Sequence, residues 1–381
     1  MSSSAEITSR VRGASPIPLF HPVVPPTAKE RVVQVLDSPW IGTGPLTEEF
    51  EAAFAKKIGV RHVVAVNSGT AALHLGLRLI GVGPGDEVVL PANTFVATGH
   101  VVLQEGATPV FADIDPTTGN LDPEHLRAVL SPRTAAVIAV HYAGAPCEMD
   151  EIRTLADQAG IAVLEDCAHA CGALYKGRPL GSVGQYQAYS FQATKTLAIG
   201  EGGALVVRTE EEAERARRLR RLGISFKSGF IASAGNWDYT VDEVGFKYNM
   251  NDIQAAIGLA QIEVLDQIHD QRAKLAGRYA LRLAHVPGVR VLNHPHTTGS
   301  SNWIMPVMVD DRDRLMTELG RAGVGTGVHF RRIDSHAPYE QADLPHTEWF
   351  WRHQVSLPVH SALTDKDVDY ICDVIERVAT G

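Results

Sequence analysis

The chain has 381 residues, 45% of them hydrophobic and 21% charged, with a formal net charge of -9. That length suits a large domain with a smaller partner, the apolar share is ample for a packed core, and an acidic balance without a clustered basic face argues against binding to a nucleic-acid backbone. No apolar run reaches membrane-spanning length, the opening MSSSAEITSRVRG carries no signal-peptide core, and four cysteines in so long a chain make no disulfide framework, so a cytoplasmic protein is expected.

In chain order, Thr27-Ala28-Lys29-Glu30 has the spacing of a capping box and predicts an amphipathic helix, and a second helix is expected from Glu48 to Lys57, before Gly59. Short apolar strands then alternate with helices: His62 to Val66, Glu87 to Leu90, Pro109 to Ala112, Ala135 to Val140, Ile161 to Leu164, Tyr189 to Phe191 and Leu205 to Arg208. Alternation of this kind predicts βαβ units and a mostly parallel sheet sandwiched by helices. The charge run Glu210 to Arg221, acidic first and basic afterwards, reads as a solvated helix surface aligned with its own dipole. A long helix is expected from Asp252 to about His285. Strand-like Trp303 to Val309, helix-like Arg312 to Ala322 and a final helix from Asp365 then form a compact α+β unit. The expected division is a flexible arm over residues 1–17, a large domain over 18–251, and a linking helix with a small C-terminal domain over 252–381.

Ligands of open parallel sheets bind at the carboxyl ends of the strands, so the residues that follow each strand carry the functional reading. Asn67-Ser68-Gly69-Thr70 leads straight into a helical segment and is a natural phosphate cup, although the same polar residues serve equally as a helix cap. Gly81-Val82-Gly83-Pro84-Gly85 follows a helix and precedes a strand, the reverse of a nucleotide fingerprint, and is a loop. Phe95, just past a strand, could stack on a planar ring or pack in the core. Asp166, at the end of another strand, could keep a pyridine nitrogen protonated, which makes the ring a better electron acceptor; taken singly it reads as a helix cap or ion pair. Lys195 lies between a strand and the glycine-rich Gly200-Glu201-Gly202-Gly203. Partial desolvation would make it an imine-forming amine, whereas most lysines are simply exposed.

Taken together, NSGTAALHL, PANTFVAT, LEDCAHACGALYKG, SFQATKTLAIGEGGA and GFKYNMNDIQAA, in this order and over residues 18 to 375, resemble the DegT/StrS-type sugar aminotransferases. The resemblance implies the fold-type-I, aspartate aminotransferase-like architecture and pyridoxal 5'-phosphate as cofactor. It implies that Lys195 holds the cofactor as a Schiff base, Asp166 pairs with the pyridine nitrogen, Phe95 stacks on the ring and His169 lies near the ring and its phenolic oxygen. Gly69, Thr70 and Ser190 would hold the phosphate, with Asn249 reaching it from the neighbouring subunit of a homodimer. His329, in Val328-His329-Phe330, is a candidate for sugar contact, while Arg331-Arg332-Ile333-Asp334-Ser335-His336 departs from the family continuation. The implied reaction moves the amino group of glutamate by a ping-pong route to a nucleotide-linked keto-deoxysugar, foremost a dTDP-4-keto-6-deoxyhexose. A 3-keto sugar or keto-cyclitol acceptor, or a catalytically silent cofactor-binding regulator, stands as the alternative.

No metal site is expected. Cys167, His169 and Cys171 offer three soft ligands but lack a fourth. His346, His353 and His360 recur at seven-residue intervals, but Pro338, Pro345 and Pro358 deny them one continuous helix.

Overall fold

The apolar runs assemble into one seven-stranded sheet: β1 (His62–Val66), β2 (Glu87–Pro91), β3 (Thr108–Ala112), β4 (Thr134–Val140), β5 (Ala162–Asp166), β6 (Tyr186–Ser190) and β7 (Gly203–Val207), in the order β1-β7-β6-β5-β4-β2-β3. This comes from a computed structural model that describes residues 16–182, 184–226, 239–292 and 299–380. Only β7 runs against the others, pairing antiparallel with both β1 and β6, while β6, β5, β4, β2 and β3 pair in parallel. The segments that follow β1, β2, β5 and β6 therefore all emerge at one edge of the sheet.

Both faces of the sheet are covered. Val63 and Ala65 of β1, Val89 of β2, Val137 and Ala139 of β4 and Val163 of β5 enter one apolar cluster. Their alternating neighbours Val64, Val66, Val88, Leu90, Ile138 and Leu164 enter another on the opposite side. This two-sided burial is why the strands read as unbroken apolar runs. The first cluster is completed by α2 (Pro45–Ile58), whose Phe54 meets Tyr189 and Phe191 edge-on at 5.2 and 5.1 Å. The second is completed by α3 (Gly69–Ile80), α4 (Val96–Gln104) and α7 (Glu210–Leu219). Each fully buried side chain of this size contributes about 1.5–3 kcal/mol.

After the sheet, α8 (Asp252–Leu283) is opened by a reciprocal cap between Asn251 and Gln254. Its first half packs on α1 (Pro26–Leu36) and α2. Its second half supplies Leu275, Tyr279 and Leu283 to a third apolar cluster. That cluster also takes in an antiparallel sheet of β8 (Val289–Val291), β9 (Met305–Val309) and β10 (Gln354–Leu357), with α9 (Arg312–Arg321) and α11 (Asp365–Thr380). Between them α10 (Pro345–His353) is anchored to the main sheet by Asp113, whose Oδ1 accepts from the Thr347 amide and hydroxyl at 2.8 and 2.7 Å.

Several expectations need correction. No side-chain cap opens α1: the helix starts with Pro26 in its first turn, whose ring already fixes φ, and Thr27 lies inside it. β5 runs on through Glu165 and Asp166, because their backbones still pair with β4 and β6. β6 begins at Tyr186 and ends at Ser190, short of Phe191. Trp303 precedes β9 and does not belong to it. The charge run is not all surface either: Arg220 is buried and donates to Glu51 Oε1 and the Ala65 carbonyl, both at 2.5 Å. Residues 1–15 of the expected flexible arm lie outside the described residues, and Ile17 pairs with Val324. Among the described residues no helix is long and apolar enough to cross a membrane.

Candidate active site

A cavity of about 480 Å³ opens at the carboxyl edge of the sheet. It is lined by Gly69, Thr70, Phe95, Asp166, His169, Ser190, Lys195 and His329, and also by Ser68, Thr98, Gln192, Trp303 and Phe330. Eight residues singled out in the sequence thus converge on one space from five separate segments. The ninth, Asn249, is not among the lining residues of its own chain's cavity; its Nδ2 donates to Thr43 Oγ1 at 2.8 Å.

Each wall follows from local structure. Ser68 caps α3, accepting from the Ala71 amide at 3.1 Å, so the first amides of that helix face the cavity. Gly69 is forced by proximity: a Cβ there would lie 2.8 Å from Ser190 Cβ. Lys195 sits in a tight turn after β6, pinned by Gln192, whose Oε1 accepts from the Thr194 amide and hydroxyl at 2.8 and 2.7 Å. Phe95 is 56% exposed and leads into α4, leaving a ring free at the mouth of the site.

Burial sets the electrostatics. It raises the Asp166 pKa above the ordinary carboxylate value, against the Ala168 amide at 3.0 Å, the Thr98 hydroxyl at 2.9 Å and Lys195, all of which favour the ionised form. Burial lowers the Lys195 pKa to about 8, and the Asp166 charge partly offsets that. His169 is pushed well below its usual value by burial and then by Lys195, and His329 is lowered to about 4 for the same two reasons. Both imidazoles are neutral near pH 7. His169 stacks on Trp303 at 3.9 Å, and its Nδ1 is buried without a hydrogen-bond partner among the described residues. His329 Nδ1 lies 2.8 Å from Ser356 Oγ.

The site thus offers a lysine whose pKa is lowered to about 8, a held carboxylate, a helix N-terminus with hydroxyls, and aromatic walls. The model of the DegT/DnrJ/EryC1/StrS aminotransferase family matches residues 25–376. The chain belongs to this family. It is 40% identical to the spore coat polysaccharide biosynthesis protein SpsC of Bacillus subtilis, over 96% of this chain and 97% of that one. It superposes on Spr1654 of Streptococcus pneumoniae, solved with PLP, with a TM-score of 0.90 and 30% identity, over 96% of this chain and 98% of that one. It superposes on DesI, solved in the presence of its TDP-sugar product, with a TM-score of 0.85 and 36% identity, over 96% and 94% of the two chains. This member of the family is therefore a pyridoxal-phosphate-dependent sugar aminotransferase of fold type I. The cavity fits that cofactor: a helix N-terminus where Gly69 lies so close to Ser190 that a Cβ would clash, a carboxylate held by Thr98, and a buried Nδ1 of His169 without a partner among the described residues.

Thr98 and Trp303 are among the cavity residues that the sequence did not single out. Thr98 lies four residues after Thr94 at the start of α4, and the two hydroxyls meet at 2.9 Å; that spacing is the signal that could have drawn attention to it. Trp303 arrives from a distant segment, and nothing around it in the sequence points to the site. Cys167, His169 and Cys171 do not converge as ligands. Among the described residues the group of three with close ligand atoms is His141, Glu165 and Cys167. There His141 already accepts from the Cys147 amide at 3.1 Å through Nδ1 and faces Glu165 at 3.1 Å through Nε2. His346 and His353 lie on α10, whereas His360 bonds the Pro18 carbonyl at 3.1 Å.

Proposed function

We propose that this aminotransferase takes the amino group of glutamate and delivers it to a dTDP-linked 4-keto-6-deoxyhexose, in two half-reactions carried out in the cytoplasm. The observation that carries the reading is the cavity built around a lysine with a pKa of about 8 beside a buried carboxylate, together with the similarity to DesI and its TDP-sugar product.

Pyridoxal phosphate, when bound, supplies an electron-poor ring that takes up the charge left on carbon when a proton is removed. Lys195 would hold the cofactor covalently, and its amine, with a pKa near the working pH, would be suited both to giving and to taking a proton at its side-chain nitrogen. Asp166, fixed by Thr98 and Ala168, would keep the ring nitrogen protonated. Gly69, Thr70 and Ser190, at the α3 N-terminus, receive the phosphate. Phe95 would stack on the ring, His169 would stand near its phenolic oxygen, and His329 would contact the sugar; all three line the cavity. Asn249, turned away from its own cavity, serves the neighbouring subunit of a homodimer. The sheet domain over residues 18–251 carries the cofactor and residues 252–381 form the linking helix and small domain.

The test is to convert the loaded enzyme with glutamate, remove the glutamate, and offer candidate acceptors singly. Recovery of the starting cofactor spectrum with a dTDP-4-keto-6-deoxyhexose supports the assignment. Recovery only with a 3-keto sugar or keto-cyclitol replaces the acceptor, and no conversion by glutamate replaces the donor.

A further inference from the structure

One further residue of the cavity lies directly against Lys195. Lys195 Nζ lies 3.9 Å from the centroid of the Trp303 ring, well within the range at which an ammonium is attracted to an indole face. The same ring stacks on His169 at 3.9 Å and 9°. Its Nε1 donates to the carbonyl of Thr194, the residue preceding Lys195, at 2.8 Å. Trp303 is only 3% exposed, so this geometry is set by the interior and not by solvent.

The main chain behind the indole is also held. Arg272 of α8 is buried, and its Nη1 donates to the carbonyls of Asn302, Trp303 and Val359 at 3.1, 3.0 and 2.9 Å. Keeping a guanidinium in the interior against carbonyls alone is costly. Burial lowers its pKa to about 10. What that cost secures is the position of the segment that carries Trp303.

We propose that Trp303 is a positioning residue whose ring face seats the side-chain nitrogen of Lys195 whenever that nitrogen is not bonded to the cofactor. The proposal rests on Lys195 being the cofactor-bearing lysine. Burial favours the neutral amine, while Asp166 and the indole face both favour the ammonium. The seat does two things. It keeps the displaced lysine beside the reacting carbon, and it helps retain the proton that the lysine must give back.

The test uses the cofactor-free enzyme and a size-preserving change. Trp303 is replaced site-specifically by tryptophans carrying one to several ring fluorines, which drain the negative face of the ring with little change in volume. The Lys195 pKa is then read from the pH dependence of its acetylation by acetic anhydride, followed by mass spectrometry of its peptide. Stepwise fluorination should lower that pKa progressively, by about 0.5–1 in total. A ring that only fills space would leave it unchanged, and an unchanged value overturns the seat. As a second measurement, Trp303→Phe should lower kcat with little change in KM for glutamate; a rise in KM alone would also overturn it. Borohydride reduction of the loaded wild-type enzyme separates the two levels. A label on Lys195 with no fluorine effect removes only the seat, whereas a label on another lysine removes the seat and the proposed function together.

Discussion

Thr98→Val is the most informative substitution at the site, because it removes one hydroxyl and keeps the branched volume. In the folded protein that hydroxyl donates to Asp166 Oδ2 at 2.9 Å. Asp166 is 5% exposed, and burial already works against its charge. A hydrogen bond to a charged group contributes about 1.5–3 kcal/mol, and a pKa difference of one corresponds to about 1.4 kcal/mol. Without Thr98 the Ala168 amide and Lys195 remain, so the Asp166 pKa should climb by about 1–2. A raised carboxyl pKa means protonation at higher pH, and a protonated Asp166 cannot hold the ring nitrogen charged. The acid limb of the kcat/KM profile should therefore move upward by about 1–2 pH. The assay is steady-state turnover across pH, with thermal unfolding as the control for folding. An unmoved acid limb in a folded Thr98→Val enzyme would refute the claim that Thr98 keeps Asp166 ionised.

Gly69→Ala should weaken cofactor binding roughly ten-fold or more, read by titrating the apoenzyme, because the new Cβ meets Ser190 Cβ at 2.8 Å and its backbone Cα at 3.3 Å. Phe54→Ala should cost about 3–5 kcal/mol in denaturant unfolding, since the ring is fully buried among Phe50, Tyr189 and Phe191; a loss below about 1 kcal/mol would contradict the packing described. His74, His269, His329 and His360 are each lowered from 6.5 to about 4, chiefly by burial. Between these values the unfolded chain binds protons that the folded chain does not, so stability should fall as pH drops from about 6.5 towards 4. Denaturant midpoints at several pH values check this, and His329→Gln should flatten the dependence.

Much of the fold was legible because its strands are buried on both sides. Val63 to Val66 or Val137 to Val140 leave no polar position to confuse the pattern, so existence and order could be read even where ends could not. Strand ends depend on pairing partners far along the chain: Glu165 and Asp166 remain in β5 because Ala139 and Val140 of β4 and Gln187 and Ala188 of β6 lie in register beside them. The capping pattern at Thr27 failed because Pro26 had already fixed the helix start one residue earlier. Arg220 looked like surface charge until Glu51, from a separate helix, closed over it.

The site divides the same way. Asp166 and Lys195 could be singled out because a parallel sheet delivers strand ends to one edge, whatever the rest of the chain does. Thr98 and Trp303 could not, since what they do depends on which side chains lie opposite them, Asp166 in one case and Lys195 with His169 in the other. Asn249 goes one level further, because its proposed task lies in another subunit and its own chain engages it with Thr43.

The central claim is that Lys195 is the residue that bonds the cofactor. Reducing the loaded enzyme with borohydride fixes that bond, and peptide mapping then locates it. A pyridoxyl group is expected on Lys195 alone, with a folded Lys195→Ala variant showing neither label, visible cofactor linkage nor turnover. A label on a different lysine, or turnover retained in Lys195→Ala, would contradict it.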